Sequence, residues 1–143
     1  VKVSQLSVFL ENKSGRLADV TRTLSENKIN IRALSIADTI DYGLLRLIVN
    51  DPTSAKAALT DAGFTVALTE VLAIEIPDSP GGLAGIIDIM AEEGINIEYM
   101  YAFVGTSGEN AIVIFRIEKV DEAITILQRK GVRIFTGEEL HSL

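Results

Sequence analysis

Two turns carry the residue types best suited to chemistry. The first reads Glu11-Asn12-Lys13-Ser14-Gly15-Arg16-Leu17 and the second Pro77-Asp78-Ser79-Pro80-Gly81-Gly82-Leu83. In each, glycine precedes a helical pattern, so the free amides and positive dipole end of a helix N-terminus face the turn, a setting that suits a carboxylate or phosphate. Arg16 is a further carboxylate partner, and it is unfavourable beside that positive end unless an anion is present. Asn12 and Asp78 offer acceptors for an ammonium group, although both serve equally well as local turn or capping residues. A second pair, Asn30 and Asn96, stands at the start of the strand that follows each helix, where an amide side chain both donates and accepts. Donors for a carboxylate beside acceptors for an ammonium describe recognition of a zwitterion.

The rest of the composition removes competing chemistries. The chain has no cysteine and one histidine, His141, which excludes disulfides, thiolate metal sites and Cys nucleophiles and takes away the usual acid–base and metal ligands. No catalytic residue, metal site or cofactor is expected. Thirteen Lys and Arg against twenty Asp and Glu give a net charge of -7, and no basic block offers a phosphate-neutralising surface, so nucleic acid is excluded as a partner. The longest charge-free run, Tyr99 to Gly108, is far short of the roughly 18 residues needed to span a bilayer. Position 1 is valine, consistent with a trimmed N-terminus, and no charged segment followed by an apolar one opens the chain. A soluble, cytoplasmic protein is expected. With 143 residues, 48% of them hydrophobic, it is long enough for one ordinary domain or two very small ones.

What positions the two turns is a duplication. Shifted by 66, residues 15–31 match residues 81–97 at seven of seventeen positions, including Gly15/Gly81, Leu17/Leu83, Ala18/Ala84, Glu26/Glu92 and Ile29-Asn30-Ile31/Ile95-Asn96-Ile97. Ala55, Leu59 and Gly63 match Ala123, Leu127 and Gly131 at a shift of 68, placing two extra residues in the intervening hairpin, near Gly105 to Gly108. Each half alternates as a strand (Leu6, Val8, Leu10) and then recurs at helical spacing (Leu17, Val20, Leu24). A strand from Ile29 to Ala37, a polar turn over residues 38–43, a strand from Leu44 to Val49, a helix opened by Asp51-Pro52 and stopped by Gly63, and a strand from Phe64 to Leu68 complete the first unit.

The second unit repeats this order: strand Val71 to Ile76, helix Gly82 to Glu93, strands Ile95 to Val104 and Asn110 to Ile117, helix Asp121 to Lys130, strand Val132 to Phe135. Thr136 with Glu139 forms a capping-box pattern for a short terminal helix. The fold class is therefore α+β: two ferredoxin-like βαββαβ units with antiparallel sheets and both helices on one face, residues 1–70 and 71–143. The opposite face is left open, and in the second unit one side of the Ile95 to Val104 strand carries Ile97, Tyr99, Tyr101 and Phe103 and the other Met100, Ala102 and Val104, so neither face reads as solvent-washed. Something is expected to cover the open face or edge: the sister unit or a second chain, which makes a homodimer the expected assembly.

The two motifs, Asn12 to Leu17 with Lys28 to Ile31 and Asp78 to Leu83 with Gly94 to Ile97, are where the chain resembles the ACT domains, small βαββαβ modules that regulate amino-acid metabolism. The resemblance spans residues 3 to 135. It implies a ligand site between paired units, built from the first strand-to-helix loop of one and the second strand of its neighbour: Asn12, Ser14, Gly15, Arg16, Leu17, Asn30 and Ile31 in the first unit, and Asp78, Pro80, Gly81, Gly82, Leu83, Asn96 and Ile97 in the second. Asn12 and Asn30 match the ligand contacts of serine-binding ACT domains, whereas Asp78 is similar to the loop aspartate of aspartokinase ACT domains. The histidine of the serine-binding pattern is Leu10 or Ile76 here, and its turn proline is Ser14 in the first unit.

A non-catalytic regulatory module that binds a small amino acid is the leading expectation, with a metabolic enzyme as a further partner. Two other readings stand beside it. One is a ligand-free subunit that docks on an enzyme of amino-acid metabolism. The other is a hydrolase on the same scaffold, since acylphosphatases use an arginine and an asparagine of the kind that Arg16 and Asn30 supply.

Overall fold

The alternation at the start of the chain builds β1 (Val3–Glu11), which buries Leu6, Val8 and Leu10 against two helices. The computed structural model describes residues 1–38 and 42–143. The elements run β1, α1 (Arg16–Glu26), β2 (Ile31–Asp38), β3 (Tyr42–Val49), α2 (Pro52–Asp61), β4 (Thr65–Pro77), α3 (Gly82–Glu92), β5 (Ile97–Ser107), β6 (Asn110–Ile117), α4 (Val120–Arg129), β7 (Ile134–Phe135) and α5 (Gly137–His141). This is βαββαβ twice, with antiparallel pairing and a short terminal helix. The turn anticipated over residues 38–43 falls largely on 39–41, outside the described residues. The chain packs as two compact units, residues 4–69 and residues 1–3 with 70–143. Lys2 ties the first residues to the second unit through Glu70 at 3.3 Å and Asp121 at 2.9 Å.

In the N-terminal unit β3 pairs with β1 on one side and β2 on the other. In the C-terminal unit β4 lies between β7 and β6, and β5 pairs with β6. Both hydrophobic cores use the same positions. Leu6, Val8, Leu10, Val20, Leu24, Leu47, Val49, Ala55 and Leu59 of the first correspond to Leu72, Ile74, Ile76, Ile86, Met90, Phe115, Ile117, Ala123 and Leu127 of the second. The far face of each sheet also holds buried side chains: Gln5 and Ile48 in one unit, Val71, Ala73, Ile112 and Ile114 in the other. Tyr99 and Tyr101 stand half-buried on that face of β5, opposite Arg116 and Ile114.

The strands on either side of Thr69 run on as one uninterrupted strand, β4, as expected where no Gly, Pro or Asn intervenes to turn the chain. Two local features depart from the alternation pattern. The last strand is shorter than its pattern, Ile134–Phe135 alone. In the C-terminal hairpin Ala102 pairs with Val113 but Thr106 pairs with Ala111. Four steps along β5 thus oppose two along β6, and this bulge absorbs the two residues by which the repeat offset grows.

The helices are bounded as their sequences dictate. Asp51 caps α2 through Ser54 N–H at 3.1 Å, with Pro52 in the first turn. Thr136 and Glu139 form a reciprocal capping box at α5. All four long helices end in the same double bond of a Schellman motif: Lys28 to Ser25 and Ile29 to Leu24 in α1 are matched by Gly94 to Ala91 and Ile95 to Met90 in α3, and likewise after α2 and α4. Lys28 holds a left-handed φ of 59° where the other three helices place glycine.

Candidate functional site

Each turn is closed by its own backbone. Gly15 and Gly81 adopt φ of 91° and 86° at the N-caps of α1 and α3, and no side chain caps either helix. The first helical amides, of Arg16 and Gly82, are donated to the carbonyls of Lys13 and Ser79 at 3.3 and 3.0 Å. The first intrahelical bonds come from Asp19 and Gly85, at 2.9 and 3.0 Å. Between them lie the amides of Leu17 and Ala18, and of Leu83 and Ala84, at the positive ends of their helices, where a cap would ordinarily be supplied by Ser, Thr, Asp or Asn. These paired amides are the donors that the sequence assigned to the turns.

Asn12, Ser14 and Gly15 are exposed in the first turn, as are Asp78, Pro80 and Gly81 in the second. Leu17 and Leu83 stand exposed in the first helical turns. The second turn is the tighter. A Cβ on Gly82 would lie 1.9 Å from the Pro77 carbonyl oxygen, so the strand end and helix start approach to a distance only glycine allows. The first turn has Glu11 and Arg16 at these positions. Arg16 reaches Glu11 at 3.6 Å and Asp19 at 3.5 Å, and its guanidinium lies 5.5 Å from the centre of the Phe64 ring. Lys13, 2.8 Å from Glu11, and secondarily Arg16 hold the Glu11 carboxyl below its ordinary range. The anion anticipated beside Arg16 is therefore supplied in part by the chain's own carboxylates.

Asn30 and Asn96 sit one residue before β2 and β5, at the far ends of α1 and α3 from the turns. Asn30 is locked by its backbone: its N–H donates to Asn50 Oδ1 at 3.0 Å and its carbonyl accepts from Asn50 N–H at 3.2 Å. The Asn96 carbonyl accepts from Glu118 N–H at 3.4 Å. Both side chains are exposed, and Ile31 and Ile97 beside them are half-buried. A cavity of about 350 Å³ adjoins Asn30, lined also by Thr21, Ser25 and Lys28. One of about 330 Å³ adjoins Asn96, lined by Glu93, Glu118, Lys119 and Glu122. With eleven residues in α1, the turn and the asparagine of one unit are roughly 16 Å apart. A single unit therefore does not bring Asn12 to Asn30, nor Arg16 to Asn30.

A family model for the ACT domain pair matches residues 1–143. The chain belongs to the ACT domain pair family. It is similar to protein BT0572 from Bacteroides thetaiotaomicron, at 42% identity and a TM-score of 0.93 over 99% of this chain and 97% of that one. The ACT fold is also shared with the regulatory subunit of aspartate kinase from Thermus thermophilus in its ligand-free form, at 19% identity and a TM-score of 0.62 over 88% and 91% of the two chains. The corresponding subunit from Thermus flavus gives 20% and 0.59 over 88% and 90%. No curated protein matches the chain. Among the described residues no helix of the ACT pair is long and apolar enough to cross a membrane.

Several residues around the ACT turns carry no signal that single-sequence reading picks up. Asn50, which anchors Asn30, lies twenty positions away. Phe9, Tyr42 and Phe64 converge beside Arg16. Their one trace in the sequence is a mismatch between repeats, because the equivalent positions are Glu75, Asn110 and Val132.

Proposed function

We propose that this ACT pair is a non-catalytic regulatory module that binds a small amino acid between units. The observation that carries the reading is the pair of glycine-capped, side-chain-free helix starts at Gly15 and Gly81. Two adjacent amides at a positive helix end match a carboxylate. Asn12 and Asp78 are the acceptors for the ammonium, and Asn30 or Asn96 completes the site from a neighbouring unit, since within one unit it lies a helix length from the turn. Solved relatives of this fold include regulatory subunits of aspartate kinase, which supports a regulatory role and a metabolic enzyme as partner.

Thermal shift across the twenty amino acids tests this. A ligand at 100 times its dissociation constant adds about 2.7 kcal/mol, or roughly 10 °C for a chain of this size. No shift with any amino acid at millimolar concentration refutes ligand sensing.

Exposed apolar residues on the outer strands support assembly through the sheet edges: Leu34 and Ile36 on β2, Met100 at the place equivalent to Leu34 on β5, and Val104 within the bulge. We read them as contacts to a second copy. Sedimentation at several concentrations separates a stable homodimer from a subunit that needs an enzyme to cover these edges. The hydrolase reading loses its geometric basis, because Arg16 and Asn30 lie at opposite ends of α1.

A further inference from the structure

The two ACT units differ where the end of the first strand, the start of the third and the turn after the second helix meet. In the C-terminal unit this place is filled from within. Asn110 donates to Glu75 at 3.0 Å, and Arg133 lies 4.0 Å from Glu75 and 3.1 Å from Glu139 of α5, with its guanidinium 4.3 Å from the centre of the Phe135 ring. An arginine stacked on a phenylalanine thus holds a carboxylate that the chain itself delivers on α5.

The same place in the N-terminal unit is a cavity of about 220 Å³ lined by Phe9, Glu11, Arg16, Tyr42, Phe64 and Thr65. Strand register makes the equivalence firm: Glu11 pairs with Tyr42 as Pro77 pairs with Asn110. The polar pair Glu75 and Asn110 is here Phe9 and Tyr42, large apolar groups that remain 55% and 60% exposed. An arginine again lies over a phenylalanine, Arg16 over Phe64. Its carboxylate contacts, at 3.6 and 3.5 Å, are longer than a good N–H···O bond of about 2.9 Å, while the short bond of Glu11 goes to Lys13. The guanidinium keeps capacity for a well-placed bidentate partner.

We propose that this cavity is a second binding site, separate from the loop-and-asparagine site, for a carboxylate borne on a flat aromatic ring. Arg16 takes the carboxylate, in the part that Arg133 plays for Glu139, and Phe9, Tyr42 and Phe64 enclose the ring. The volume, equivalent to about seven waters at ~30 Å³ each, accepts a single ring with a short acid side arm. Arg16 thereby leaves the set assigned to the loop site. A simple arylcarboxylate and an aromatic amino acid share this chemistry. Only the latter brings an ammonium for Glu11.

Titration calorimetry of the intact protein with phenylacetate, L-phenylalanine and glycine in separate arms tests the proposal. Saturable binding of phenylacetate, L-phenylalanine or both is expected. Preference for L-phenylalanine assigns Glu11 to the ammonium, and preference for phenylacetate assigns the site to simple acids. Transplanting the polar pair of the other unit, Phe9→Glu with Tyr42→Asn, should weaken this binding by at least about tenfold, as should Arg16→Gln. Asn30→Ala and Asn96→Ala should leave it unchanged. If the double variant fails to fold by circular dichroism, Arg16→Gln and Phe64→Val carry the test. Absence of saturation by about 10 mM of either ring compound, wild-type affinity in the cavity variants, or loss in the asparagine variants overturns the proposal. Glycine binding abolished by Asn30→Ala but indifferent to the cavity variants reports on the loop site alone, so either site can fail without the other.

Discussion

Gly82 and Gly85 lie three residues apart in the first turn of α3, and the same substitution at the two should have opposite signs. A Cβ at Gly85 meets nothing within 4 Å. Gly85→Ala therefore keeps only the helix-propensity gain of about 0.5–1 kcal/mol, raising Tm by roughly 2–4 °C. At Gly82 the added carbon would stand 1.9 Å from the Pro77 carbonyl oxygen, against 3.4 Å for ordinary contact. The shortfall of 1.5 Å (3.4 less 1.9) cannot be met by a side-chain rotation, because the neighbour is backbone at the end of β4. Forced shifts of this kind cost about 1–3 kcal/mol, which outweighs the same propensity gain, so Gly82→Ala should lose roughly 1–2 kcal/mol net. Urea unfolding reads both: the midpoint rises for Gly85→Ala and falls for Gly82→Ala, each with an unchanged slope. If Gly82→Ala is as stable as the parent, the close approach does not constrain the turn and the glycine there has another cause.

Three further outcomes follow from particular contacts. Lys28 has a left-handed φ of 59° in a Schellman motif, so Lys28→Gly should stabilise by about 0.5–1 kcal/mol, read as a higher urea midpoint. The backbone N–H of Thr136, and secondarily Arg133, lowers the Glu139 pKa. A carboxyl lowered on folding adds stability that is present above its unfolded pKa of about 4.3 and is lost as pH falls through the folded value, so the advantage of the parent over Glu139→Gln in thermal melts should hold near neutrality and vanish in acid. Asn30→Ala spares both backbone bonds to Asn50 and should leave Tm nearly unchanged while weakening amino-acid binding by about 1–3 kcal/mol; a large fall in Tm would instead assign the side chain to the fold.

The sequence made the architecture legible because the same physical choices are written twice. Alternation at Leu6, Val8 and Leu10 is ambiguous alone, but its recurrence at Leu72, Ile74 and Ile76 in front of a second glycine turn is not. Caps at Asp51 and Thr136 were readable because their chemistry is local, within three residues of the groups they satisfy. The site was legible only in part. The glycine turns announce their free amides, whereas the distance from turn to asparagine depends on α1 standing between them, and the Asn50 anchor depends on a pairing twenty residues away. Tertiary neighbours of this kind leave no periodic trace.

Divergence between the repeats is more informative about function than their likeness. Nine equivalent core positions exchange one aliphatic residue for another, or keep it, except that Leu47 becomes Phe115 and Leu24 becomes Met90. Packing explains that conservatism, since volume changes in a close-packed interior cost stability directly. The rims are under no such constraint, and there the units part company: Phe9 against Glu75, Arg16 against Gly82, Lys28 against Gly94, Tyr42 against Asn110. Each swap changes charge, polarity or backbone freedom beside a turn or cavity. Two copies of one scaffold with one core and two different rims can respond to two different ligands, or devote one rim to an internal occupant, as Arg133 and Glu139 do in the C-terminal unit. A ligand specific to one rim should therefore saturate at one equivalent per ACT pair, where a ligand held by the helix-start amides of both turns reaches two.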